Sequence, residues 1–307
     1  MYDSQLSNLI TASISRLNLE LTGAAPRVAT QLSAWMAQLS RTGRPEDYFK
    51  HPLAFPSLLL PWWLEKTCHA EPDLSLHSDL VYSTINGYYY IRLIDNLMDG
   101  HDTVELKLLP ALGFFHTQFQ TMYQHYFEPN HGFWQLFRTV WFHSAEVTIK
   151  DASLTDLDQT QFEQIAAQKT CAAKIPLAAV SYRLARPDLI EPWSQWVDMF
   201  GRWHQMHNDL FDWHRDETQN RPTYFLCEAR RRRDPGQPIT AWIAGEGFAW
   251  AIEQLCNWMV ALKALAEQLH SSDLSSYLDV RETMLLEKRK TVETGLQDLA
   301  KIVASDS

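Results

Sequence analysis

The chain has 307 residues, of which 46% are hydrophobic and 21% are charged, and its formal net charge is −10. This composition is ordinary for a soluble globular protein, and the length permits a large core in one or two domains. The negative charge argues against nucleic acid or an anionic membrane surface as the main partner. The four cysteines show no Cys-x-x-Cys spacing, so neither a zinc site nor a disulfide framework is indicated.

The N-terminus has no basic segment followed by an apolar one, so we expect no signal peptide. The longest apolar stretch, residues 55–64, is interrupted by Pro56 and Pro61 and is too short to span a bilayer. We therefore expect a soluble, cytoplasmic protein without a membrane span.

Helical periodicity runs through nearly every long segment of the sequence, and no convincing strand pattern appears. The predicted helices cover residues 4–21, 27–41, 55–66, 79–99, 103–127, 133–150, 155–183, 192–217, 240–270 and 274–303. The helix over 155–183 should begin at Thr155 as its N-cap and be kinked or broken at Pro176. No repeat or low-complexity linker divides the chain. We therefore predict one all-α domain over residues 1–307, a helical bundle around a deep central pocket.

Three oxygen-bearing side chains share one face of the predicted helix 192–217. Asn208, Asp212 and Asp216 are spaced i, i+4 and i+8, which places them along one side of a helix. The two carboxylates repel each other at this spacing. A hard divalent cation relieves that repulsion, because Mg²⁺ binds carboxylate and amide oxygens together with water and substrate phosphates. Taken alone, the pattern is more typical of a solvated acidic face.

A second acidic cluster ends the predicted helix 79–99. Asp95 and Asp99 are spaced i and i+4, and Asp102 follows just past the helix end. The residues directly before them, 88–94, are mostly aromatic or aliphatic. An apolar helix that ends in carboxylates suggests a pocket with an apolar floor and a metal-binding mouth. Two such helices facing each other would hold several Mg²⁺ ions around a diphosphate.

These motifs resemble those of the class I isoprenoid synthases, which comprise trans-prenyltransferases and class I terpene synthases. Residues 95–99, Asp-Asn-Leu-Met-Asp, are similar to the family's first motif, DDxxD, with Asn96 in place of its second aspartate. The second motif in its prenyltransferase form, GxxxQxxDDxxDxxxD, is matched by Gly201, Gln205, Asn208, Asp209, Asp212 and Asp216, with asparagine for its first aspartate. Asn208, Asp212 and Asp216 also resemble the terpene-synthase form, (N/D)Dxx(S/T)xxxE.

Two further elements agree with the family in order and spacing. Lys169-Thr170 resembles the family's Lys-Thr pair, whose lysine grips the diphosphate. Residues 221–224, Arg-Pro-Thr-Tyr, stand where prenyltransferases carry Lys-x-(Thr/Ser)-Tyr. The resemblance covers most of the chain, from residue 50 to residue 290. It implies an isoprenoid-synthase fold, Mg²⁺ as cofactor and a prenyl diphosphate as substrate, and homodimers are common in this family.

The resemblance also assigns roles to individual residues. The implied metal ligands are Asp95, Asp99, Asn208, Asp209, Asp212 and Asp216. Lys169 and Arg221 are expected to donate hydrogen bonds to the diphosphate, and the remaining substrate contacts fall on Gln205, Tyr224, Tyr88, Tyr90, Ile91 and Trp203. Tyr90 and Ile91 lie about one turn before Asp95, where this family limits the depth of the pocket. The catalytic group is then expected to be Asp95, Asp99, Lys169, Asn208 and Asp212.

The departures from the family select among its activities. Chain-elongating members hold isopentenyl diphosphate with an N-terminal Gly-Lys-Arg-x-Arg-Pro stretch and with an Arg-Arg pair soon after the first motif. Here residues 41–45 lack that basic cluster, and residues 100–105 contain no arginine. A second diphosphate would then have little to neutralise its charge. We therefore favour a terpene synthase that ionises one allylic diphosphate. A short-chain prenyltransferase with an unusual isopentenyl site and a catalytically silent paralogue are the alternatives.

Overall fold

A computed structural model describes residues 2–69, 71–98 and 106–305. Within these ranges the chain is helical and contains no strand, which confirms the predicted all-α class. The chain divides into two compact units. The first unit is Met1–Thr148 with Ala172–Trp193, and the second is Ile149–Cys171 with Ser194–Ser307. No helix in the described ranges has both the length and the apolar character needed to cross a membrane.

The helices are, in chain order, α1 Ser4–Ala24, α2 Pro26–Ser40, α3 Pro45–Lys50, α4 Leu59–Cys68, α5 Leu74–Met98, α6 Ala111–Gln124, α7 Gly132–Ala152, α8 Gln159–Lys169, α9 Lys174–Arg183, α10 Ile190–Thr218, α11 Tyr224–Arg232, α12 Ile239–Trp242, α13 Phe248–Gln268 and α14 Ser272–Ser305. Short 3₁₀ turns occur at Leu106–Leu108, Cys171–Ala173 and Pro187–Leu189. A π-helical turn, Ile243–Gly247, joins α12 to α13.

Close packing of α5 against α6 organises the first unit. Gly87 on α5 faces Phe119 on α6, and a Cβ at this glycine would lie 2.8 Å from the Phe119 ring. Ser83, one turn earlier, donates a hydrogen bond to the Phe119 carbonyl oxygen at 2.8 Å. The small side chains of α5 therefore allow the two helices to approach closely, and the aromatic side chains around them fill the core.

The second unit is built on a stack of aromatic rings along α10. Trp196, Phe200 and Trp203 are fully buried, with ring centroids 4.9 and 5.7 Å apart along the stack. The Trp203 indole donates a hydrogen bond to the Leu255 carbonyl oxygen of α13 at 3.1 Å. The apolar face of α10 is thereby fixed against α13, which leaves its polar face for other roles.

Gly201 fixes α10 against the end of α8. A Cβ at this position would clash with Thr170 Oγ1 and would lie 2.9 Å from the Ala166 carbonyl oxygen. Only glycine permits this approach, which brings the Lys169-Thr170 pair beside the helix that carries the second motif.

The predicted helix 155–183 needs correction at its start. Asp158, not Thr155, is the N-cap, and it forms a capping box with Gln161. The Asp158 carboxylate accepts from the Gln161 backbone N–H at 2.8 Å, and the Gln161 side chain accepts from the Asp158 backbone N–H at 3.1 Å. The reciprocal bonds satisfy two backbone donors, which favours this cap over a threonine. The helix is broken as expected, but between Lys169 and Lys174 and not at Pro176, which is the third residue of α9, where the first turn of a helix tolerates a proline.

Other boundaries also differ from the prediction, and α5 begins at Leu74 instead of residue 79. The helix predicted over 103–127 begins at Ala111, directly after Pro110, and residues 103–105 lie outside the described ranges. The helix predicted over 240–270 is interrupted by the π turn, where a Cβ at Gly247 would clash with the Trp242 ring. The sequence pattern does not indicate α3 and α11, because segments of six and nine residues are too short to give a clear helical periodicity.

Candidate functional site

Four polar side chains form one stripe on α10. Gln205, Asp209, Asp212 and Asp216 project within about 60° of one another around the helix axis, and Asn208 lies at the edge of this stripe. Asp209 and Asp216 are only 3% and 6% exposed, whereas the Asp212 side chain is 46% exposed. The second motif is therefore not a solvated acidic face, because two of its carboxyl groups are buried.

Asp209 is the most strongly perturbed acid of the stripe. Burial raises its pKa to about 7, and the negative charges of Asp216 and Asp151 act in the same direction. A hydrogen bond from Gln205 Nε2 to Asp209 Oδ1, 2.8 Å long, and the positive charge of Lys169 partly offset this rise. Near neutral pH the Asp209 carboxyl is therefore divided between its protonated and ionised forms, and a nearby cation would favour ionisation.

Lys169 lies beside the stripe and pairs with an acid that the sequence did not single out. Its Nζ is 2.6 Å from Asp151 Oδ2. Lys169 is the last residue of α8, and Asp151 lies in the last turn of α7. The one available signal for Asp151 was its place at a helix C-terminus, where the helix dipole disfavours a negative charge.

The C-terminus of α10 brings Arg221 back to Asp216. Asn220 adopts a left-handed backbone conformation with φ of 53°. The Arg221 N–H donates to the Asp216 carbonyl oxygen at 2.8 Å, and the Asn220 N–H donates to that of Glu217 at 3.0 Å. This pair of bonds is a Schellman motif, and it sets the chain direction at Arg221.

Asp216 also has a basic neighbour on its own helix. Arg215 donates to Asp212 Oδ2 at 2.8 Å, and its Nε is 3.6 Å from Asp216 Oδ1. Burial raises the pKa of Asp216, Arg215 and Arg221 lower it, and Asp212 raises it. The acids of the stripe are thus close enough to repel one another and are partly compensated by arginine.

Asn208 contacts a histidine rather than a carboxylate. His204 Nε2 lies 3.5 Å from the Asn208 side-chain amide, and His204 Nδ1 lies 3.3 Å from Arg281 Nη2. Burial lowers the pKa of His204 and of His207 to about 3, and the charge of Arg281 contributes to both shifts. Both rings are therefore neutral at physiological pH.

Two residues expected at the substrate are packed in the core of the second unit. Trp203 lies inside the α10 stack described above. Tyr224 is the first residue of α11, and its ring stacks on Phe162 at 4.6 Å between centroids. Burial raises the pKa of Tyr224 to about 12. Thr223 caps this helix, with its Oγ1 accepting from the Leu226 backbone N–H.

The first-unit residues of the predicted pocket all lie on α5. The Tyr88 hydroxyl bonds to that of Tyr48, and burial raises the pKa of Tyr88 well above its usual value. Tyr90 packs against Trp141, with ring centroids 5.3 Å apart. Tyr90 and Ile91 are half-buried. These side chains make the middle of α5 strongly aromatic, as the sequence predicted.

The first acidic motif is only partly described. Asp95 accepts from Arg92 Nη1 at 3.3 Å, and both side chains are about one-third exposed. Asn96 is buried, and its Oδ1 has no hydrogen-bond partner among the described residues. An ionised aspartate in place of Asn96 would carry a buried charge, which is costly without a partner. Asp99 and Asp102 lie outside the described residues.

A groove of about 320 Å³ opens in the first unit between α7 and α9. Its lining consists of Gly132, Gln135, Leu136, Thr139, Val140 and Tyr182. None of the predicted site residues belongs to it.

The donor set of α10 suits a hard cation. The stripe and its edge offer carboxylate and amide oxygens, and the raised pKa values of Asp209 and Asp216 show acids that a dication would stabilise in their ionised forms. In the described part of the chain, no group of three or more His, Cys, Asp or Glu side chains is arranged to hold a metal ion. A hard cation bound here would therefore take part of its shell from water or substrate phosphates, as Mg²⁺ commonly does.

No protein-family model matches the chain, and no curated protein matches it either. The family resemblance therefore rests on the four sequence motifs alone.

Proposed function

We propose that the protein is a Mg²⁺-dependent class I terpene synthase. It ionises a linear prenyl diphosphate, releases diphosphate, and cyclises or quenches the carbocation in a deep pocket. The observation that carries the proposal is the group of acids and bases at α10. Asp209 and Asp216 are buried acids, and the charges of Lys169 and Arg221, which come from other parts of the chain, each act on one of them.

The basic residues have the role of binding the leaving group. Lys169 and Arg221 donate charge-assisted hydrogen bonds to diphosphate oxygens, which are shorter and stronger than neutral ones. The ion, when bound, neutralises charge that develops as the allylic C–O bond breaks. The α10 side chains that would hold it are Asn208, Asp209, Asp212 and Asp216. The family resemblance adds Asp95 and Asp99 to this set, and Asp99 lies outside the described residues.

The aromatic residues of α5 have the role of stabilising the cation. Tyr88 and Tyr90 offer ring faces, each contributing roughly 0.5–2 kcal/mol to a nearby positive charge. Tyr90 and Ile91 also limit the length or the folding of the prenyl chain through their bulk. Trp203 supports α10 from within the aromatic stack, because its indole N–H is bonded to the Leu255 carbonyl oxygen.

Turnover of defined substrates tests this proposal. The protein is incubated with Mg²⁺ and geranyl, farnesyl, geranylgeranyl or geranylfarnesyl diphosphate, and the hydrocarbon products and released diphosphate are identified. Lys169→Met and Asp212→Asn should each reduce turnover by about 100-fold or more. Asp279→Asn is the matched control, because Asp279 forms a 2.7 Å pair with Lys263 on the surface of the same unit. No turnover of any substrate by the unmodified protein would instead favour the catalytically silent paralogue.

A short-chain prenyltransferase is the second candidate, and two contacts favour it. Gly201 packs against Thr170, and Gln205 donates to Asp209. Glycine and glutamine at these positions belong to the prenyltransferase form of the second motif. Adding isopentenyl diphosphate separates the two activities. Products one isoprene unit longer than the allylic substrate would identify a prenyltransferase, whereas unchanged products would identify a terpene synthase.

A further inference from the structure

A buried arginine approaches α10 from α14. Arg281 is only 1% exposed, and its guanidinium lies 5.0 Å from the Trp203 ring centroid and 5.5 Å from that of Phe200. Its Nη1 donates to the Tyr277 hydroxyl at 3.3 Å. Burying a guanidinium is costly even among aromatic rings. The contact that the Arg281 guanidinium makes with α10 accounts for this buried position.

That contact determines which nitrogen of His204 carries the proton. Arg281 Nη2 lies 3.3 Å from His204 Nδ1. A guanidinium has five N–H donors and no acceptor, so His204 Nδ1 must be the acceptor and carries no hydrogen. The proton of the neutral ring is then on Nε2, which becomes a donor.

The donor at Nε2 in turn determines how the Asn208 amide is turned. His204 Nε2 lies 3.5 Å from the amide nitrogen of Asn208. Two donors cannot bond to each other, and the oxygen and nitrogen of an amide exchange places by a half-turn about χ2. The hydrogen bond therefore requires Asn208 to present its oxygen, Oδ1, to His204.

We propose that Arg281 and His204 form a relay of positioning residues, in which Arg281 fixes the His204 tautomer and His204 orients Asn208 Oδ1 as a ligand for the divalent cation. This inference rests on the proposed function of Asn208. An amide oxygen has two lone pairs, so it accepts from His204 with one and offers the other to the ion. Outer hydrogen bonds of this kind orient ligands, and their removal typically weakens metal binding by about 10- to 100-fold.

The tautomer of His204 is measurable without any metal. In ¹⁵N-histidine-labelled protein, two-bond nitrogen–proton correlations distinguish the Nδ1–H from the Nε2–H form, and His204→Gln identifies the signal. We expect Nε2–H in the unmodified protein and a mixture in Arg281→Met. Tyr277→Phe is the matched control, since it removes another partner of Arg281 but keeps the guanidinium at His204, and it should leave the tautomer unchanged. Nδ1–H in the unmodified protein would overturn the relay. If Arg281→Met fails to fold, Arg281→Lys tests the same donor.

Cation binding tests the second step of the relay. Mn²⁺ is titrated into the protein with inorganic diphosphate present, and free Mn²⁺ is followed by electron paramagnetic resonance. His204→Phe, which removes both ring nitrogens, should weaken binding by about 10- to 100-fold. His204→Gln retains an acceptor and a donor and should recover part of the affinity.

The outcomes separate this inference from the proposed function. Equal Mn²⁺ affinity in the unmodified protein and in His204→Phe overturns the relay and leaves the terpene-synthase proposal standing. No Mn²⁺ binding by the unmodified protein overturns the proposed function and the ligand role of Asn208 together, while the nitrogen spectra still report the tautomer.

Discussion

Lys169 Nζ lies 2.6 Å from Asp151 Oδ2, and this ion pair links the C-terminal ends of α8 and α7. The helix dipole favours the lysine at such an end and disfavours the aspartate. Both charges act on a third group, because Asp151 raises the pKa of Asp209 and Lys169 lowers it. The pair therefore sets the charge next to the most perturbed acid of α10.

Substitutions in this pair should move the pKa of Asp209 in opposite directions. Asp151→Asn should lower it, because a negative charge is removed and Lys169 loses one of its partners. Lys169→Met should raise it, because a compensating positive charge is lost. The measurement is a ¹³C NMR titration of the Asp209 carboxyl carbon. Lys263→Met, which breaks a surface pair in the same unit, should leave the titration unchanged. Shifts of the same sign in Asp151→Asn and Lys169→Met would contradict this account.

Asp209 should make the protein less stable as pH rises. Its folded pKa of about 7 lies above the ordinary value of 3.8, so the folded state binds more protons between these values. The stability that the protonated Asp209 carboxyl group retains for the folded protein is therefore fully present below about pH 4. This part of the free energy of unfolding is lost as the pH rises through 7. Asp209→Asn keeps the acceptor for Gln205 and cannot ionise. It should be more stable than the unmodified protein by roughly 2–4 kcal/mol at pH 8.

Urea denaturation at pH 4 and pH 8 measures this difference. The advantage of Asp209→Asn should shrink to less than about 1 kcal/mol at pH 4, where the aspartate is protonated in the folded protein and a little under half protonated in the unfolded chain. Asp279→Asn, at an exposed position, serves as the control and should show no comparable pH-dependent gain. An equal advantage at both pH values would show that the effect is not due to ionisation.

The stripe on α10 can be predicted from the sequence, because helical geometry alone determines which side chains share a face. Once residues 192–217 are known to be helical, the period of 3.6 residues places Asp212 and Asp216 on one face. The burial of the Asp209 and Asp216 side chains could not be predicted in this way. The same spacing fits a solvated face, and only packing of the whole unit shows that Asp209 and Asp216 are enclosed.

No motif in the sequence indicates a role for Asp151 or Arg281. Neither stands in a motif, and each reaches α10 from a helix whose position depends on tertiary packing. The cap at Asp158 was available in principle, because aspartate followed three residues later by glutamine is a capping-box signature. Thr155 has a favourable residue type for an N-cap but no glutamate or glutamine three residues later to complete a capping box.

Gly201 should tolerate no larger side chain. A Cβ there would clash with Thr170 Oγ1 and press on the Ala166 carbonyl oxygen, which belongs to a helix backbone and cannot move aside cheaply. Gly201→Ala should therefore destabilise the protein by about 1–3 kcal/mol in urea denaturation. Gly295→Ala on α14 is the matched control, because, apart from the adjacent backbone of its own helix, no described atom lies within 4 Å of its Cβ position. It should be neutral or stabilising by up to about 1 kcal/mol. Equal stabilities of the two variants would contradict the close contact.

Asn220 should accept glycine but not a β-branched residue. Its φ of 53° lies in the left-handed region, which glycine adopts freely and which costs most L-residues about 1–2 kcal/mol. Asn220→Gly should keep the Schellman motif and the stability, whereas Asn220→Val should lose about 1–2 kcal/mol or more in urea denaturation.

Asn220→Val should also raise the pKa of Asp216, because Arg221, which lowers that pKa, follows directly after the altered turn. We expect the titration of the Asp216 carboxyl group to shift in Asn220→Val and to stay unchanged in Asn220→Gly. Equal Asp216 pKa values in the two variants would show that Arg221 acts on Asp216 independently of the turn at Asn220.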